Sequence, residues 1–177
     1  MKKLLLLFFL SLNALTICAQ EEKDKSLFYP EKVRTLNTTL NTLYNVISGE
    51  KGVERDWKLF KYLFKPDAKL IPSIKNKESG LFQVRYLSPG DYIKSSGNWL
   101  VENGFFEKEI HRKTETFGNM TQVFSTYEAY KSETDEEPFM RGINSIQLLN
   151  DGERWWIINI YWTQETPENP IPKKHLR

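Results

Sequence analysis

Two arginines are the first candidates for binding chemistry in this chain of 177 residues. Arg112 and Arg141 both fall in segments whose side-chain pattern predicts strands. A guanidinium beside an apolar cavity can hold a carboxylate or a phosphate through two parallel hydrogen bonds. The alternative is structural: either arginine forms an ion pair with one of the many glutamates, or it lies at a rim with its tip in water.

A second candidate cluster consists of Glu107, Glu109 and His111, which alternate along one predicted strand. A carboxylate–histidine cluster can bind a divalent ion, and a pair of such groups can transfer protons. One strand supplies at most part of a metal's ligand set, and the other histidine, His175, belongs to the C-terminal tail. We therefore expect a solvated strand face here, with no metal site and no cofactor.

Two asparagines stand out because their neighbours are apolar. Asn144 lies in Ile-Asn-Ser-Ile and Asn159 in Ile-Ile-Asn-Ile, and a buried amide costs free energy unless it is hydrogen-bonded. If Asp151-Gly152 forms a two-residue turn, the two asparagines face each other and can satisfy one another. The alternative is that they bind a polar group of a ligand or a buried water. Tyr127 and Tyr161 are possible donors to a ligand carbonyl or parts of an aromatic core.

Three helices must position these groups. Apolar residues recur every three or four positions from Glu31 to Ser48, which predicts one helical stripe. A second helix is predicted from Arg55 to Lys65, with Pro66 as its stop. A third helix is predicted with Ser88 as its N-cap and Pro89 at its first position, and it ends at Asn103-Gly104. One side of this third helix carries Tyr92, Ser96, Trp99 and Leu100.

The remaining elements are predicted strands. Two short ones span Ala68–Ile74 and Leu81–Leu87, and four long antiparallel ones follow. The long strands form two hairpins, with Gly118-Asn119 and Asp151-Gly152 as their turns. This order predicts an α+β fold in which three helices pack on a strongly curved, mainly antiparallel sheet of about six strands.

The first long hairpin predicts which side chains share a face. With a two-residue turn at Gly118-Asn119, Arg112 faces Ser125 and Ile110 faces Tyr127. We expect this face to point inward and the more polar face with Glu107, Glu109 and His111 to point outward. A longer turn would change the pairing across the two strands.

Three stretches of the chain carry a resemblance to a known superfamily. They are the helix Leu36–Ile47, the segment Trp57-x-x-Phe60-x-x-Leu63-Phe64-x-Pro66-Asp67-Ala68, and the hairpin motif Asp151-Gly152-x-x-Trp155-Trp156. On these residues the chain resembles the nuclear transport factor 2-like superfamily, which includes SnoaL-like and ketosteroid-isomerase-like proteins. The resemblance implies a cone-shaped, cystatin-like barrel, and it is greatest to small secreted bacterial members. It indicates fold more than function, because members include enzymes, binders and adaptors.

The resemblance also implies a cone-shaped pocket between the helices and the sheet. We expect this pocket to bind a small, largely apolar ligand, because the inward residues are rich in aromatic groups and poor in polar ones. The candidate lining residues are Trp57, Tyr86, Trp99, Arg112, Ser125, Tyr127, Arg141, Asn144 and Asn159.

Two other functions stay open. An isomerase, dehydratase or cyclase would need a carboxyl or a histidine inside the cone, with a tyrosine or arginine to stabilise a developing oxyanion. Members of the superfamily also dimerise through the open sheet face, and Trp155 and Trp162 would supply such a surface for a homodimer. The sequence carries neither a Ser-His-Asp arrangement nor a glycine-rich phosphate loop.

The N-terminal residues predict export. Residues 1–19 combine a basic start, the apolar run Leu4–Leu10 and a small Ala19, as a secretory signal peptide does, so we expect no stable membrane span after its removal. The protein is then periplasmic or extracellular. A lipoprotein anchored at Cys18 is the alternative, although Ile17 is not the small residue that normally precedes such a cysteine.

The mature chain is expected to be electrically neutral. Without Lys2 and Lys3 the Lys and Arg total falls from 25 to 23, which equals the 23 Asp and Glu residues. A neutral chain argues against a nucleic-acid partner. We expect a linker at residues 20–30, one domain at residues 31–165 and an extended, proline-rich tail at residues 166–177.

Overall fold

The computed structural model describes Tyr29 to Leu176. The predicted signal peptide at residues 1–19 and most of the predicted linker therefore lie outside the described residues. Within the described range, no helix is both long enough and apolar enough to cross a lipid bilayer.

Four α-helices, one short 3-10 helix and six strands make up the described chain. The helices are α1 (Pro30–Val33), α2 (Leu36–Ile47), α3 (Trp57–Tyr62) and α4 (Pro89–Asn103), and the 3-10 helix is Lys173–His175. The strands are β1 (Phe64–Lys75), β2 (Phe82–Val84), β3 (Phe106–Phe117), β4 (Met120–Tyr130), β5 (Met140–Asn150) and β6 (Trp155–Gln164).

The strands form one open sheet in the order β2-β1-β6-β5-β4-β3. Every neighbouring pair is antiparallel except β1 and β6, which run parallel. The prediction of an α+β fold with a mainly antiparallel six-stranded sheet is thus confirmed. The described residues contain one helix more than predicted, because Thr35 interrupts the first helical stripe and caps α2 in a reciprocal bond with Thr38.

One apolar cluster joins the helices to the sheet. Helix α2 contributes Leu40 and Leu43, and helix α4 contributes Leu100. Strands β4 and β5 contribute Val123 and Ile146, which are fully buried. The face of the sheet that meets these helices is called the inner face below, and the opposite one the outer face.

Arg55 ties the ends of two helices together. Its guanidinium donates hydrogen bonds to the carbonyl oxygens of Ile47 at 3.0 Å, of Gly49 at 2.6 Å and of Leu100 at 3.0 Å. Carbonyls at helix ends lack partners within their own helix, so this buried arginine fixes the distance between α2 and α4.

The segment after α3 differs from the prediction. Helix α3 ends at Tyr62, and the chain enters β1 at Phe64, so Pro66 lies within a strand instead of stopping the helix. The pairing of β1 with β6 shifts register between Phe64 and Lys69, which places the proline where no ladder hydrogen bond is required of it.

The first long hairpin contains a bulge. Gly118, with a φ of 57°, forms the predicted two-residue turn, and Arg112 pairs with Ser125 as expected. On the N-terminal side of Arg112, strand β3 contains one extra residue, Ile110. Glu109 therefore lies opposite Tyr127. The expected pairing of Ile110 with Tyr127 is therefore wrong. The bulge turns Glu109 and Glu107 to the inner face, so their predicted position on the outer face is wrong.

A second bulge changes the last hairpin. Asn150 pairs with Trp155, so the connection is two residues longer than the predicted turn, and Ile158 is an extra residue in β6. Asn144 consequently pairs with Trp162, and Asn159 pairs with Gln147. The expected pairing of Asn144 with Asn159 is therefore wrong.

The C-terminal tail folds back onto the outer face. Ile171 and His175 are both buried, and the Thr126 hydroxyl donates a 2.7 Å hydrogen bond to the carbonyl oxygen of His175. The Glu165 carboxylate accepts a bond from the backbone N–H of Ile171 at 2.8 Å. The sequence predicted an extended tail, but these contacts anchor it and it ends in the 3-10 helix.

Candidate functional site

A cavity of about 210 Å³ lies between helices α2, α3 and α4 and the inner face of the sheet. Its walls are mostly apolar, and its polar groups come from Ser96, Glu107 and Asn144 and from two tyrosines. The apolar and aromatic lining residues are Leu43, Ile47, Phe60, Leu70, Tyr92, Trp99, Leu100, Phe105, Tyr127, Met140, Ile160 and Trp162.

Glu107 is the carboxyl group of this cavity. Burial among apolar side chains raises its pKa from the usual 4.5 to about 7, and the hydrogen bond that Asn144 donates to its Oε1 at 3.1 Å lowers the pKa in part. Its backbone N–H is held by the Ser48 hydroxyl at 3.0 Å. A carboxyl that titrates near neutral pH in a cleft is a recognised mark of a functional site.

Two phenols line the same cavity. Burial, together with the charge of Glu107, raises the pKa values of Tyr92 and Tyr127 well above the usual range for tyrosine. Both groups therefore keep their protons at every physiological pH. No hydrogen bond engages either hydroxyl within the described part of the chain, so each can donate to a polar atom of a ligand.

A row of hydrogen bonds continues behind the cavity. Asn144 Nδ2 donates to the Tyr44 hydroxyl at 3.2 Å, and that hydroxyl lies 2.6 Å from the Ser125 hydroxyl. Ser125 in turn donates to Glu109, whose carboxylate also accepts from Arg112 Nε at 2.7 Å. Desolvation and the charge of Glu107 raise the pKa of Tyr44 far above its ordinary value, so it acts here as a neutral hydroxyl.

This arrangement supports two kinds of chemistry. An apolar cavity with one carboxyl and two free phenols can bind a small molecule that carries a polar group. A carboxyl whose pKa is near 7 can also accept and return a proton, with the phenols as donors to developing negative charge. Within Tyr29 to Leu176, no cluster of three or more His, Cys, Asp and Glu residues could hold a metal ion.

Three of the sequence-predicted candidates line the cavity, namely Trp99, Tyr127 and Asn144. Two others, Ser125 and Arg112, lie behind it in the row of hydrogen bonds. Arg112 is therefore the partner of Glu109 and of the Asn37 side chain, at 2.7 Å, and its guanidinium is not presented to the cavity.

The other four candidates lie elsewhere. Trp57 packs edge-on against Phe60, behind the cavity wall, and Tyr86 is 69% exposed. Arg141 forms ion pairs with Glu165 at 2.7 Å and Glu128 at 3.9 Å on the outer face. Asn159 donates to Gln147 at 2.9 Å in an exposed side-chain pair, so it has no place in the cavity.

Three polar residues of the cavity, Tyr92, Ser96 and Glu107, were not among the predicted lining residues. Tyr92 lies on the predicted inward side of α4 with Ser96, Trp99 and Leu100, and that helical spacing was the signal that could have found it. Glu107 has no such signal, because only the bulge at Ile110 directs it inward.

A larger groove, of about 320 Å³, lies on the outer face between the sheet and the tail. Its one carboxylate, Glu165, is already bonded to Arg141 and to the backbone of Ile171. Trp162 contributes to both the groove and the inner cavity. Because its one carboxylate is already paired, the groove is the weaker candidate for ligand recognition.

Comparison with known proteins gives structural similarity alone. No protein-family model and no curated protein sequence matches the chain. A candidate scytalone dehydratase from Novosphingobium aromaticivorans is 12% identical, the match covers 75% of this chain and 83% of that chain, and the TM-score is 0.55. A candidate dehydratase of the nuclear transport factor 2-like family from Streptomyces avermitilis is 11% identical, with 77% and 97% coverage and a TM-score of 0.53.

A third structure, a protein of unknown function from Nostoc punctiforme with a cystatin-like fold, is 9% identical, with 73% and 87% coverage and a TM-score of 0.54. At these identities the similarity concerns the fold. The protein thus has a cystatin-like α+β fold, as the sequence resemblance implied. Its function must be inferred from its own cavity.

Proposed function

We propose that the protein binds a small, largely apolar molecule in the inner cavity and that a polar group of this molecule meets Glu107. The observation that carries the proposal is one carboxyl, with a pKa of about 7, set in a mostly apolar cavity. A carboxyl that is desolvated in a cavity and has no use there destabilises a protein, so a ligand or a reaction that uses it accounts for its presence.

The size of the cavity limits the ligand. Pockets for drug-sized molecules typically measure about 300 to 1,000 Å³, and this cavity measures about 210 Å³. A ligand of one or two rings with a hydroxyl or carbonyl group therefore fits better than a larger one. The hydroxyl groups of Tyr92 and Tyr127 are placed to donate to such a carbonyl.

Blocking the cavity tests the binding proposal. Ser96→Phe places a ring in the cavity, whereas Ser95→Phe changes the exposed neighbour on the same helix. We expect 4-nitroanisole, a small aromatic quencher, to reduce tryptophan fluorescence in the wild type and in Ser95→Phe, with binding at least tenfold weaker in Ser96→Phe. Equal uptake by all three proteins would contradict the proposal.

A second candidate function is proton transfer, as in an isomerase or a dehydratase. The presence of Glu107 inside the cavity favours it, and two of the structurally similar proteins are candidate dehydratases. In an isomerisation the Glu107 carboxylate would take a proton from the carbon next to a carbonyl, and the electron pair would move to the carbonyl oxygen. A phenol would stabilise that oxygen, and Glu107 would return the proton to another carbon of the same molecule.

A simple model reaction tests this second function. In 5-nitrobenzisoxazole, removal of the proton at C3 breaks the N–O bond and releases a coloured cyanophenolate. We expect wild-type protein to accelerate this elimination, with a rate that rises with pH through about 7, since the base is the ionised form. Glu107→Gln should lose about 100-fold or more of the acceleration. The exposed Glu115→Gln is the matched control, and equal loss in both variants would argue against a role for Glu107.

We also propose that the protein is exported by residues 1–19 and that it forms a homodimer through the open sheet face. N-terminal sequencing of the secreted protein tests the first point, with cleavage after Ala19 expected and an uncleaved N-terminus as the contrary result. Light scattering on the mature protein tests the second, and a monomer at high concentration would contradict it.

A further inference from the structure

A row of hydrogen bonds leads from Glu107 in the cavity to Arg112. Which group donates in each bond is determined by Arg112, at the end away from the cavity. Arg112 can only donate, and it donates to one oxygen of Glu109. Ser125 donates its single proton to the other oxygen. The Ser125 oxygen must therefore accept from its remaining neighbour, the Tyr44 hydroxyl at 2.6 Å.

The direction of the remaining bonds, from Tyr44 to the cavity, follows from this one. Tyr44 uses its proton on Ser125, so its oxygen is an acceptor for Asn144, 3.2 Å away. Asn144 must then turn its NH₂ group towards Tyr44, and the second N–H of that group reaches Glu107 at 3.1 Å. Each bond leaves only one orientation for the next, because Ser125 is fully buried and Asn144 is only 6% exposed.

We propose that Glu109 is a positioning residue that, through Ser125 and Tyr44, fixes the direction of the Asn144 amide and thereby controls the protonation of Glu107. Its functional meaning rests on the proposed use of Glu107 in the cavity. An N–H directed at Glu107 stabilises the carboxylate form, and a carbonyl oxygen in the same position would instead stabilise the protonated acid.

Apart from Glu109, the titratable groups that are coupled to the charge of Glu107 are phenols. Tyr44 from α2, Tyr92 from α4 and Tyr127 from β4 all feel its charge, and all three are neutral at physiological pH. The direction of the Asn144 amide is therefore the adjustable polar influence on Glu107 among the described residues.

Glu109→Gln is the decisive substitution. Arg112 still requires an oxygen, so the new NH₂ group faces Ser125 and donates to it. Ser125 then donates to Tyr44, Tyr44 donates to Asn144, and the Asn144 amide flips so that its oxygen faces Glu107. We expect the titration midpoint of Glu107 to rise by about one pH unit or more, which is a tenfold change in proton affinity.

Ordinary electrostatics predicts the opposite sign. Removal of a nearby negative charge should make Glu107 easier to ionise and lower its midpoint. Carbon-13 NMR of glutamate-labelled, ligand-free protein measures the midpoint, with the Glu107 signal assigned by its loss in Glu107→Gln. A rise in Glu109→Gln supports the proposal, and a fall or no change overturns it. The exposed Glu115→Gln should leave the midpoint unchanged.

A double substitution tests the route. Ser125→Ala removes the middle of the row, so adding Glu109→Gln to it should cause no further shift, and a further shift overturns the proposal. If Glu109→Gln fails to fold, Tyr44→Phe is the alternative variant. It removes the hydroxyl that holds the Asn144 amide in one direction, so the titration midpoint of Glu107 should rise. An unchanged midpoint overturns the proposal. The titration needs no ligand, so its outcome is independent of the binding and elimination tests. The proposal about Glu109 can therefore be wrong while the proposed function is right, and the proposed function can be wrong while the proposal about Glu109 is right.

Discussion

The two faces of the hairpin β3–β4 bury polar side chains in different ways. On the inner face, every proton of Ser125 and Tyr44 has an acceptor, and the row ends at a carboxylate paired with an arginine. On the outer face, His175 of the tail lies beside His111 of β3, with a distance of 6.5 Å between the ring centroids. Within the described residues, His111 Nε2 and His175 Nδ1 are buried without a hydrogen-bond partner.

The difference shows what each face is built for. A fully satisfied polar row holds one defined arrangement, which is what a residue such as Glu107 needs in order to meet a ligand. The outer histidines contribute packing instead, as the contact of His175 with the Phe124 ring at 5.1 Å shows. Polar groups left unpaired there lower stability and make it sensitive to pH.

The largest expected effect on stability comes from replacing Glu107, the desolvated carboxyl of the cavity. The folded-state pKa of Glu107, about 7, lies above the ordinary 4.5, so its ionisation opposes folding and stability is lost as pH rises between these values. Relative to wild type, Glu107→Gln should gain about 2 to 3 kcal/mol in free energy of unfolding between pH 4 and pH 8. Urea unfolding at both pH values measures this gain. A gain that does not depend on pH, or an equal gain in the exposed Glu115→Gln, would contradict the account.

The next largest effect on stability comes from breaking the row of hydrogen bonds on the inner face. Tyr44→Phe leaves an N–H of Asn144 without its acceptor in a buried place, which should cost about 1 to 3 kcal/mol in free energy of unfolding. Tyr130→Phe is the matched control, since its hydroxyl donates to Glu128 at 2.8 Å in a partly exposed site. Chemical denaturation of both variants measures the difference, and equal losses would remove the distinction between the two faces.

A smaller effect is expected at the outer face. Burial and the electrostatic influence of Lys174, Lys113 and His111 lower the pKa of His175. Its neutral form therefore favours the docked tail, and stability should be lost as pH falls below the ordinary histidine value of 6.5. His175→Phe should be more stable than wild type, and its advantage should be greater at pH 5 than at pH 8 by less than about 1 kcal/mol. Thermal unfolding at the two pH values checks this, and a difference that is larger at pH 8 would contradict it.

The smallest effect on stability is expected at Asn159, which was predicted from the sequence to line the pocket. Asn159 bonds to Gln147 in an exposed pair, so Asn159→Ala should change the free energy of unfolding by no more than about 0.5 kcal/mol and leave binding of 4-nitroanisole unchanged. Asn144→Ala, in the cavity, should weaken that binding or alter its pH dependence. If Asn159 proved the more sensitive of the two, the assignment of the cavity would be wrong.

Local signals in the sequence were sufficient for the helix that lines the cavity. Ser88 and Pro89 predicted the start of α4, and the structure confirms both the cap and the end at Asn103. The helical spacing of Ser96 and Trp99 also predicted the side that faces the cavity. Capping and periodicity depend on neighbours within a few residues, which is why they can be predicted from one chain.

The site itself depends on features without a local signal. The bulges occur at Ile110 and Ile158, and isoleucine is an ordinary strand residue, so nothing marks these positions as irregular. A shift of one residue moves a side chain to the opposite face, which is why Glu107 was assigned to the wrong face and Asn159 was wrongly paired. The parallel pairing of β1 with β6 joins residues about ninety positions apart, such as Leu70 and Ile160, and only the complete fold defines it.

The most direct test of the central claim is the titration of Glu107 in the wild-type protein. Carbon-13 NMR of glutamate-labelled protein should reveal one side-chain carboxyl with a midpoint near 7, and this signal should be absent from Glu107→Gln. If every glutamate carboxyl instead titrates below about 5, near the ordinary range, Glu107 is not desolvated in the cavity and the proposed site is wrong.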